Sequence, residues 1–463
     1  MSKNTNILIF FVILLTAYFL SRFIVKEANV VVIGIILFFL VFFVSFFSPE
    51  VGLMFLIFSM LLSPEIKIAS VPKREVVVRI DDLLIMSVFF GWVAQSVFVK
   101  KLEIVTTRLL MPIFMYTFIY FVSSVLGILE GRIQPLPVFF YILKYLEYFI
   151  IYFLVTNIVK SKQQIIVYII CFFITAVIVN IHGYSLIRTG ERLYAPFDIP
   201  RAVIGGGEVK GGPEANTYGG YLIVVMSLAL SLFCYSSGQS IYLLVLFLIF
   251  SLVPFAYTLS RSSYGAFVVM IVVTILFTER KKVFLIAGLL LGLVLSPILM
   301  PRAVETVQQR IQETFNRPTV TGEEFEFLGF RVRELSALMR VESWKEAFTK
   351  FMPKKPFLGH GVTGVGLMDA QIPLVVGEIG LIGVAVFLWL IYTIYKESLL
   401  VFINSKDNIF KGLSLSVMAT LTALLVQSIG ANTFIIVRIM EPFWFLCGLV
   451  MIARQLEEET PVS

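Results

Sequence analysis

Long apolar runs, one after another, decide what this chain can fold into. They lie near 6–21, 29–47, 50–63, 81–99, 109–127, 138–158, 165–182, 218–236, 241–258, 263–278, 283–300, 373–395, 412–430 and 434–453. A helix that spans a bilayer needs roughly 20 predominantly apolar residues. The third and tenth runs are short, so about 12–14 transmembrane helices are expected. Composition agrees: 59% of the 463 residues are hydrophobic, 14% are charged, and the mean hydropathy is +0.94. A soluble protein could not clothe its surface with so few polar side chains. The reading is an all-α, polytopic integral membrane protein, with a single transmembrane domain over 1–463.

The formal charge of +7 does not call for nucleic acid as a partner. In a membrane protein, basic residues gather in cytoplasmic loops. With the N-terminus inside, the inner connections hold Lys100 and Lys101, Lys160 and Lys162, Arg280 to Lys282, and Lys396, Lys406 and Lys411. The tail from Arg454 also falls inside. The segment after Met1 carries one lysine and no clear cleavage site, and is read as an uncleaved first span.

The same alternation puts 64–80, 128–137, 183–217 and 301–372 outside. The last is a large, partly helical loop. In Arg302–Phe315, Val304, Val307, Ile311 and Phe315 recur at helical spacing. In Glu334–Phe351, Leu335, Leu338, Met339, Trp344, Ala347, Phe348 and Phe351 do the same. Pro353 and Pro356 end that helix. Arg317–Phe330 reads as a loop. No fixed-period repeat stands out.

Cys171, Cys234 and Cys447 sit in apolar runs without CxxC spacing, and read as inert buried thiols. His182 and His360 are the only histidines, which excludes a histidine-rich metal site. No cofactor and no metal is expected.

Arginines crowd the outer segments: Arg188, Arg192, Arg201, Arg302, Arg310, Arg317, Arg331, Arg333 and Arg340, with Lys210. Plain solvation accounts for many of them, since long loops escape the charge rule. Arg261 is different, because Ser260-Arg261-Ser262-Ser263 is a very short link between apolar runs. An arginine at the membrane edge is functional or paired. Guanidinium forks also match phosphate oxygens, so such a cluster suits a lipid-linked pyrophosphate.

Two carboxylates stand out beside them. Asp369 precedes a span, and Glu378 lies in its first turns. For Glu378 a functional acid and a dipole-satisfied helix-start acid are both open. His360, in Gly359-His360-Gly361, reads as a loop residue rather than a general base. Asn216 stands where an outer loop re-enters the membrane, either orienting a ligand or capping the next helix. Lys144 and Glu147, at i and i+3, are expected to form an internal pair. Asp81 and Asp82 are expected to be helix caps.

Four stretches together resemble the O-antigen ligase/polymerase family of bacterial envelopes. They are Pro213–Tyr221 (PEANTYGGY), Thr258–Gly265 (TLSRSSYG), Arg340–Gly361 (RVESWKEAFTKFMPKKPFLGHG) and Asp369–Gly383 (DAQIPLVVGEIGLIG). The family pattern has a Pro-Asn-small entry to a helix and a Ser-Arg link. It continues with Arg, Trp, proline and Leu-Gly-x-Gly, then His-Asn and Glu-x-Gly-x-x-Gly. The resemblance covers roughly residues 180–455.

The resemblance implies a metal-independent glycosyltransferase of GT-C type in the bacterial inner membrane. Its active site would face the periplasm. The donor would be a glycan on undecaprenyl diphosphate. The acceptor would be lipid A-core for a ligase, or another lipid-linked glycan for a polymerase. Membrane lipid and a chain-length regulator protein would be its partners. By carry-over, Arg261 and Arg340 would hold the pyrophosphate. Arg192, Arg201, Asn216, Glu378 and His360 would line the substrate side. Where ligases carry the His, this chain has Asp369, followed by Ala370 instead of Asn. Asp369 becomes the expected base, and the broken ligase signature tilts the reading toward a polysaccharide polymerase. A ligase or a protein O-oligosaccharyltransferase is the nearest alternative. A lipid-linked oligosaccharide flippase is the alternative from another class.

Overall fold

The computed structural model describes residues 30–71, 74–99, 104–189, 193–197, 215–299, 305, 308, 325–327, 330–332, 335–366 and 368–459. The helices are α1 (Val30–Phe47), α2 (Pro49–Leu62), α3 (Ile80–Phe98), α4 (Leu110–Leu129), α5 (Pro135–Ile158), α6 (Lys162–Thr189) and α7 (Ala215–Tyr235). They continue as α8 (Ser240–Tyr257), α9 (Arg261–Phe277), α10 (Lys282–Leu299), α11 (Leu335–Glu346), α12 (Gln371–Asn404), α13 (Asn408–Gln427) and α14 (Val437–Glu459). Each apolar run from 29–47 onward is a helix. The expected first span, 6–21, lies outside the described residues.

Among the described residues nine helices are long and apolar enough to cross a membrane. Four shorter apolar helices, Gly34–Phe47, Pro49–Leu62, Arg261–Phe277 and Lys282–Gly292, accompany them. The protein is an all-α polytopic membrane protein. Hydrocarbon offers no partner for backbone N–H and C=O groups, so apolar runs of this length must satisfy them internally as helix.

The outward faces remain apolar: Phe39, Phe43, Phe114, Phe118 and Leu246 are all exposed. The centre is built from α7, α13 and α14, with α9 against α7 and α13. Tyr218, Tyr221, Leu222, Met418, Phe443 and Phe445 are fully buried there. Small residues allow the close approaches. Gly219 faces Ser263 and Gly448 faces Val155. Ser227 Oγ donates to the Ser416 carbonyl at 3.0 Å, tying α7 to α13.

Because the helices alternate in direction, the bundle has two ends. One end carries the short connections Val159–Ser161, Ser236–Gln239, Thr278–Lys281 and Ser405–Asp407. The other carries the long ones, between α2 and α3, α6 and α7, and α10 and α12. The first of these, expected only as a connection over 64–80, is an antiparallel hairpin of β1 (Glu65–Val71) and β2 (Arg74–Arg79).

Between α10 and α12, the helix expected over Glu334–Phe351 is present as α11 followed by a π turn at Ala347–Phe351. The one expected over Arg302–Phe315 lies mostly outside the described residues; Glu305 and Gln308 are helical. Arg317–Phe330 is not all loop. β3 (Phe325–Phe327) pairs with β4 (Phe330–Val332), Phe325 opposite Val332 and Phe327 opposite Phe330. Aromatic or β-branched residues alternating with charged ones suit such a ribbon.

Two local expectations are corrected. Lys144 and Glu147 do not pair: among the described residues no donor, Lys144 included, reaches either oxygen of Glu147, which meets the Asp82 carboxyl instead. The spacing puts both residues on one face of α5, but that face packs against α3 and α14 and encloses the carboxylate. Asp81 is no simple cap either. It is completely buried and ion-paired with Arg79 as well as accepting the Asp82 N–H at 3.1 Å, while Asp82 takes the capping bond, accepting the Arg79 N–H at 2.9 Å. The cysteines are free and buried, as expected.

Candidate functional site at the long-connection end

Asn216 is the second residue of α7 and Ser260 is the N-cap of α9. Asn216 Oδ1 accepts from Ser260 Oγ at 2.6 Å and from Ser262 Oγ at 3.2 Å. The Ser260 hydroxyl hydrogen is therefore committed, and Ser263 Oγ, 2.7 Å away, must donate to Ser260. Gln427, the last residue of α13, closes the chain. Its Nε2 donates to Ser263 Oγ at 2.9 Å and to the Asn216 carbonyl at 3.0 Å. Its Oε1 accepts from Thr433 Oγ1 at 3.4 Å. Gln427, Ser263 and Thr433 are fully buried, where each such bond resists water competition. This neutral network fixes the first turn of α9, and with it the half-buried Arg261.

The turn after Gln427 has a second side. Arg340, in α11, lays its guanidinium against Gly430; a Cβ there would stand 3.3 Å from it. One turn along α11, Ser343 Oγ accepts the Asp369 N–H at 3.0 Å and donates to the Met339 carbonyl at 2.9 Å. Gln371, at the start of α12, donates its N–H to the Ser428 carbonyl at 3.0 Å. Its Oε1 accepts the Phe434 N–H, also at 3.0 Å. Asn432 Nδ2 donates to the Met368 carbonyl. The turn 428–434 therefore joins the Asn216–Arg261 corner to the Arg340–Asp369 corner. Arg261, Arg340 and Asp369 are all half-buried.

Glu378 and His360 belong to an adjoining unit. α12 breaks at Gly380, which has φ 66°. A helix broken at membrane depth must have its backbone groups satisfied by other parts of the protein. The chain from Pro356 to Gly361 supplies them. The Gly377 carbonyl accepts the His360 N–H at 2.9 Å, and the Glu378 carbonyl accepts the Gly361 N–H at 2.8 Å. Beyond the break, the Leu381 N–H donates to the Pro356 carbonyl at 2.8 Å. Ser123 Oγ adds a bond to the Glu378 carbonyl at 2.7 Å. Gly359, at φ 65°, lies so close that a Cβ would stand 2.5 Å from the Glu378 carbonyl carbon. The Glu378 side chain is fully buried, and its Oε1 accepts the Thr363 N–H at 3.0 Å.

His360 Nε2 lies 3.1 Å from the Phe351 carbonyl, which can only accept. Nε2 therefore carries the proton, and Nδ1 accepts from Arg132 Nη1 at 3.1 Å. Burial, reinforced by the cations Arg132, Lys355 and Lys354, holds the ring below its ordinary pKa and keeps it neutral. This placement suits a residue that locks the loop, the reading its Gly-rich context favoured.

The structure thus brings Asn216, Arg261, Arg340 and Asp369 to one turn, with Glu378 and His360 in the unit beside it. Arg192 and Arg201 lie outside the described residues. The sequence reading passed over Gln427, Gln371, Ser343 and Arg132. Gln427 carried a signal: it is a lone amide closing the apolar run 412–430.

Residues 244–378 match the family model described as O-antigen ligase. The match supports an O-antigen ligase/polymerase-like family for this chain. It runs from α8 into α12 and takes in Arg261, Arg340, His360, Asp369 and Glu378. Asn216 and Gln427, which complete the network, lie outside it. Among curated proteins, none matches the chain.

Proposed function

We propose that the protein is a glycosyltransferase that polymerises undecaprenyl-diphosphate-linked oligosaccharide repeat units into O-antigen or exopolysaccharide. The reaction takes place at the outer face of the bacterial inner membrane. The long-connection end faces the periplasm and the lysine-bearing short-connection end faces the cytoplasm, following the positive-inside rule. The observation that carries the proposal is the convergence on the turn 428–434 of two arginines from the ligase-matched region, with Asn216 and Asp369.

In this reading Arg261 and Arg340 bind the donor pyrophosphate. They stabilise the charge that develops on it as the glycosidic bond to the anomeric carbon breaks. Asp369, held at the start of α12 through its backbone N–H, takes the proton from the acceptor hydroxyl as that oxygen attacks. Asn216 orients the glycan. Arg192 and Arg201, which precede α7 in the sequence, also take part in binding the donor in this reading. Glu378 and His360 support the substrate side by holding the loop that crosses the break in α12. The lipid tail lies in the bilayer, and a chain-length regulator protein acts alongside.

The test is reconstitution of the purified protein with its native lipid-linked repeat unit. A ladder of lengthening lipid-linked glycans is expected. The family description favours one other reading, transfer to lipid A-core. Product on added lipid A-core without a ladder would make the protein a ligase. Translocation without either product would make it a flippase.

A further inference from the structure

A second polar centre lies apart from the turn 428–434, where α2, α3, α5 and α14 meet. Asp81, Glu147 and Glu441 come from α3, α5 and α14, and none of them is near another in sequence. One carboxylate oxygen from each lies within 4.8 Å of the others. Asp81 and Glu441 are 0% exposed and Glu147 is 6% exposed.

Their partners do not balance them. Arg79 Nη2 is shared among the Met60 carbonyl at 2.6 Å, Asp81, and Glu441 Oε2 at a long 3.5 Å. Arg438, whose charge also acts on Asp81 and Glu441, donates to several backbone carbonyls. Its Nη1 donates to Pro196 at 2.5 Å and Leu61 at 3.4 Å, and its Nη2 to Phe197 at 3.3 Å and Ser63 at 3.5 Å. Asp82 adds a fourth carboxylate beside them, and Lys144, one turn before Glu147 on α5, forms no ion pair with it. Among the described residues here, the four carboxylates outnumber the cations Arg79, Arg438 and Lys144 by one. Among the described residues no N–H or O–H group donates to either oxygen of Glu147 or to Oε1 of Glu441, and the carboxyl that Glu147 meets at hydrogen-bond range is that of Asp82. A carboxylate left so in a low-dielectric interior is strongly disfavoured unless a cation or a proton joins it.

We propose that Asp81, Glu147 and Glu441 bind one hard divalent cation, and that the cation is Ca2+. Oxygens on opposite sides of a Ca2+ ion stand about 4.6–5.2 Å apart, given Ca–O distances of about 2.3–2.6 Å, so three oxygens inside that span can share one ion. Ca2+ accepts irregular sets of carboxylates, mono- or bidentate. Mg2+ demands near-octahedral geometry and keeps several waters, which this buried set does not favour. The scarcity of His and Cys in the chain bears on nitrogen and sulfur sites and leaves an all-carboxylate site open. The ion would join α3, α5 and α14, and through Arg438 it would steady the Pro196–Phe197 segment that leads toward Arg201. The site stands independently of the glycosyltransferase reading.

The test uses full-length protein, stripped with chelator in detergent and titrated with Tb3+. Terbium is a luminescent stand-in for Ca2+, excited here through Tyr148 and Trp444 near the cluster. Sensitised emission saturating at one ion per chain and displaced by Ca2+ more readily than by Mg2+ is expected. Ca2+ should also raise the melting temperature. Glu147→Gln, and separately Glu441→Gln, should weaken binding by about 10-fold or more, since even outer-shell changes at metal sites cost about 10–100-fold. Monodispersity on size exclusion establishes that each variant is folded, and two variants guard against the loss of one. Absence of both emission and a Ca2+-dependent melting shift in the wild type would overturn the site in favour of protons shared between the carboxylates. Emission unchanged in both variants would place the ion elsewhere, and preference for Mg2+ would overturn the assignment to Ca2+.

Discussion

The short-connection end and the turn 428–434 at the opposite end are held in different ways. At the short-connection end the bonds are ionic. Arg454 Nη1 reaches Glu397 Oε2 at 2.6 Å, Arg108 Nη1 reaches Glu397 Oε1 at 3.0 Å, and Lys162 pairs with Asp407. Arg280 adds a 2.9 Å bond to Asn408. Most of these cations are partly exposed; Glu397 is shared by Arg108 and Arg454, and Asp407 pairs with Lys162. At the long-connection end the links around the turn 428–434 are neutral and mostly buried: Asn216, Ser260, Ser263, Gln427, Thr433 and Gln371 bond to one another or to backbone. The ion pairs of that end, Arg79 with Asp81 and Glu441 and Lys355 with Glu130, lie apart from the turn. At the turn the arginines sit on top of an amide and hydroxyl scaffold. Ion pairs hold the short connections together, whereas hydrogen bonds between amides and hydroxyls fix the backbone on which Arg261 stands.

The sharpest way to break this comparison is to remove cations at each end. Arg261→Ala and Arg340→Ala should each lower polymer formation by about 100-fold or more, the scale of losing one preorganised charge-stabilising donor. The readout is the glycan ladder at equal protein level. Full activity in both would remove the pyrophosphate role, and full activity in Asp369→Asn would remove that residue as the base.

Next in size is the backbone crossing beside the site. Gly380→Ala forces a side chain into a left-handed conformation, worth about 1–2 kcal/mol, and adds a clash with the Phe357 carbonyl. A clear fall in melting temperature in detergent is expected, and an unchanged value would mean that α12 does not break there. Gln427→Ala should cost about 1–3 kcal/mol, since it strands buried groups at Asn216, Ser263 and Thr433. It should also lower activity more than melting temperature alone explains. Loss of stability without loss of turnover would make the network a support for the fold only.

A smaller effect follows from His360. Its folded pKa is depressed below the ordinary value near 6.5, so the unfolded chain takes up the proton first. The stability it contributes is complete above about pH 6.5 and is lost as pH falls through the folded value. Melting curves across that window should show a slope that His360→Gln flattens. The smallest effect is expected at the other end. Lys162→Ala should change stability by less than about 1 kcal/mol, because the pair is largely solvated, and should leave the glycan ladder intact.

Much of this was legible in the sequence. Apolar runs locate the helices to within a few residues, because in lipid a run of that length has little alternative to helix. The stretches containing Arg261, Arg340 and Asp369 could be singled out by residue type and order. Their convergence could not. Asn216 meets Ser260 across 44 residues of chain and Gln427 across 211. Two expectations about buried charge failed for one reason. The Lys144–Glu147 pair and a simple cap at Asp81 were read from neighbours along one helix, whereas the partners of a buried charge are chosen by whichever helices pack over it; Asp82 does cap, as expected.

By itself, then, the sequence determined that the chain crosses the membrane many times, where it crosses, and which polar residues break the apolar pattern. Those are properties of local composition, set by transfer into hydrocarbon. Only the tertiary structure decided that the turn 428–434 gathers both arginine corners, that Pro356–Gly361 repairs the break in α12, and that three distant carboxylates share one buried centre. Each depends on hydrogen-bond or charge partners contributed by a different helix, and no local pattern encodes which helix that is.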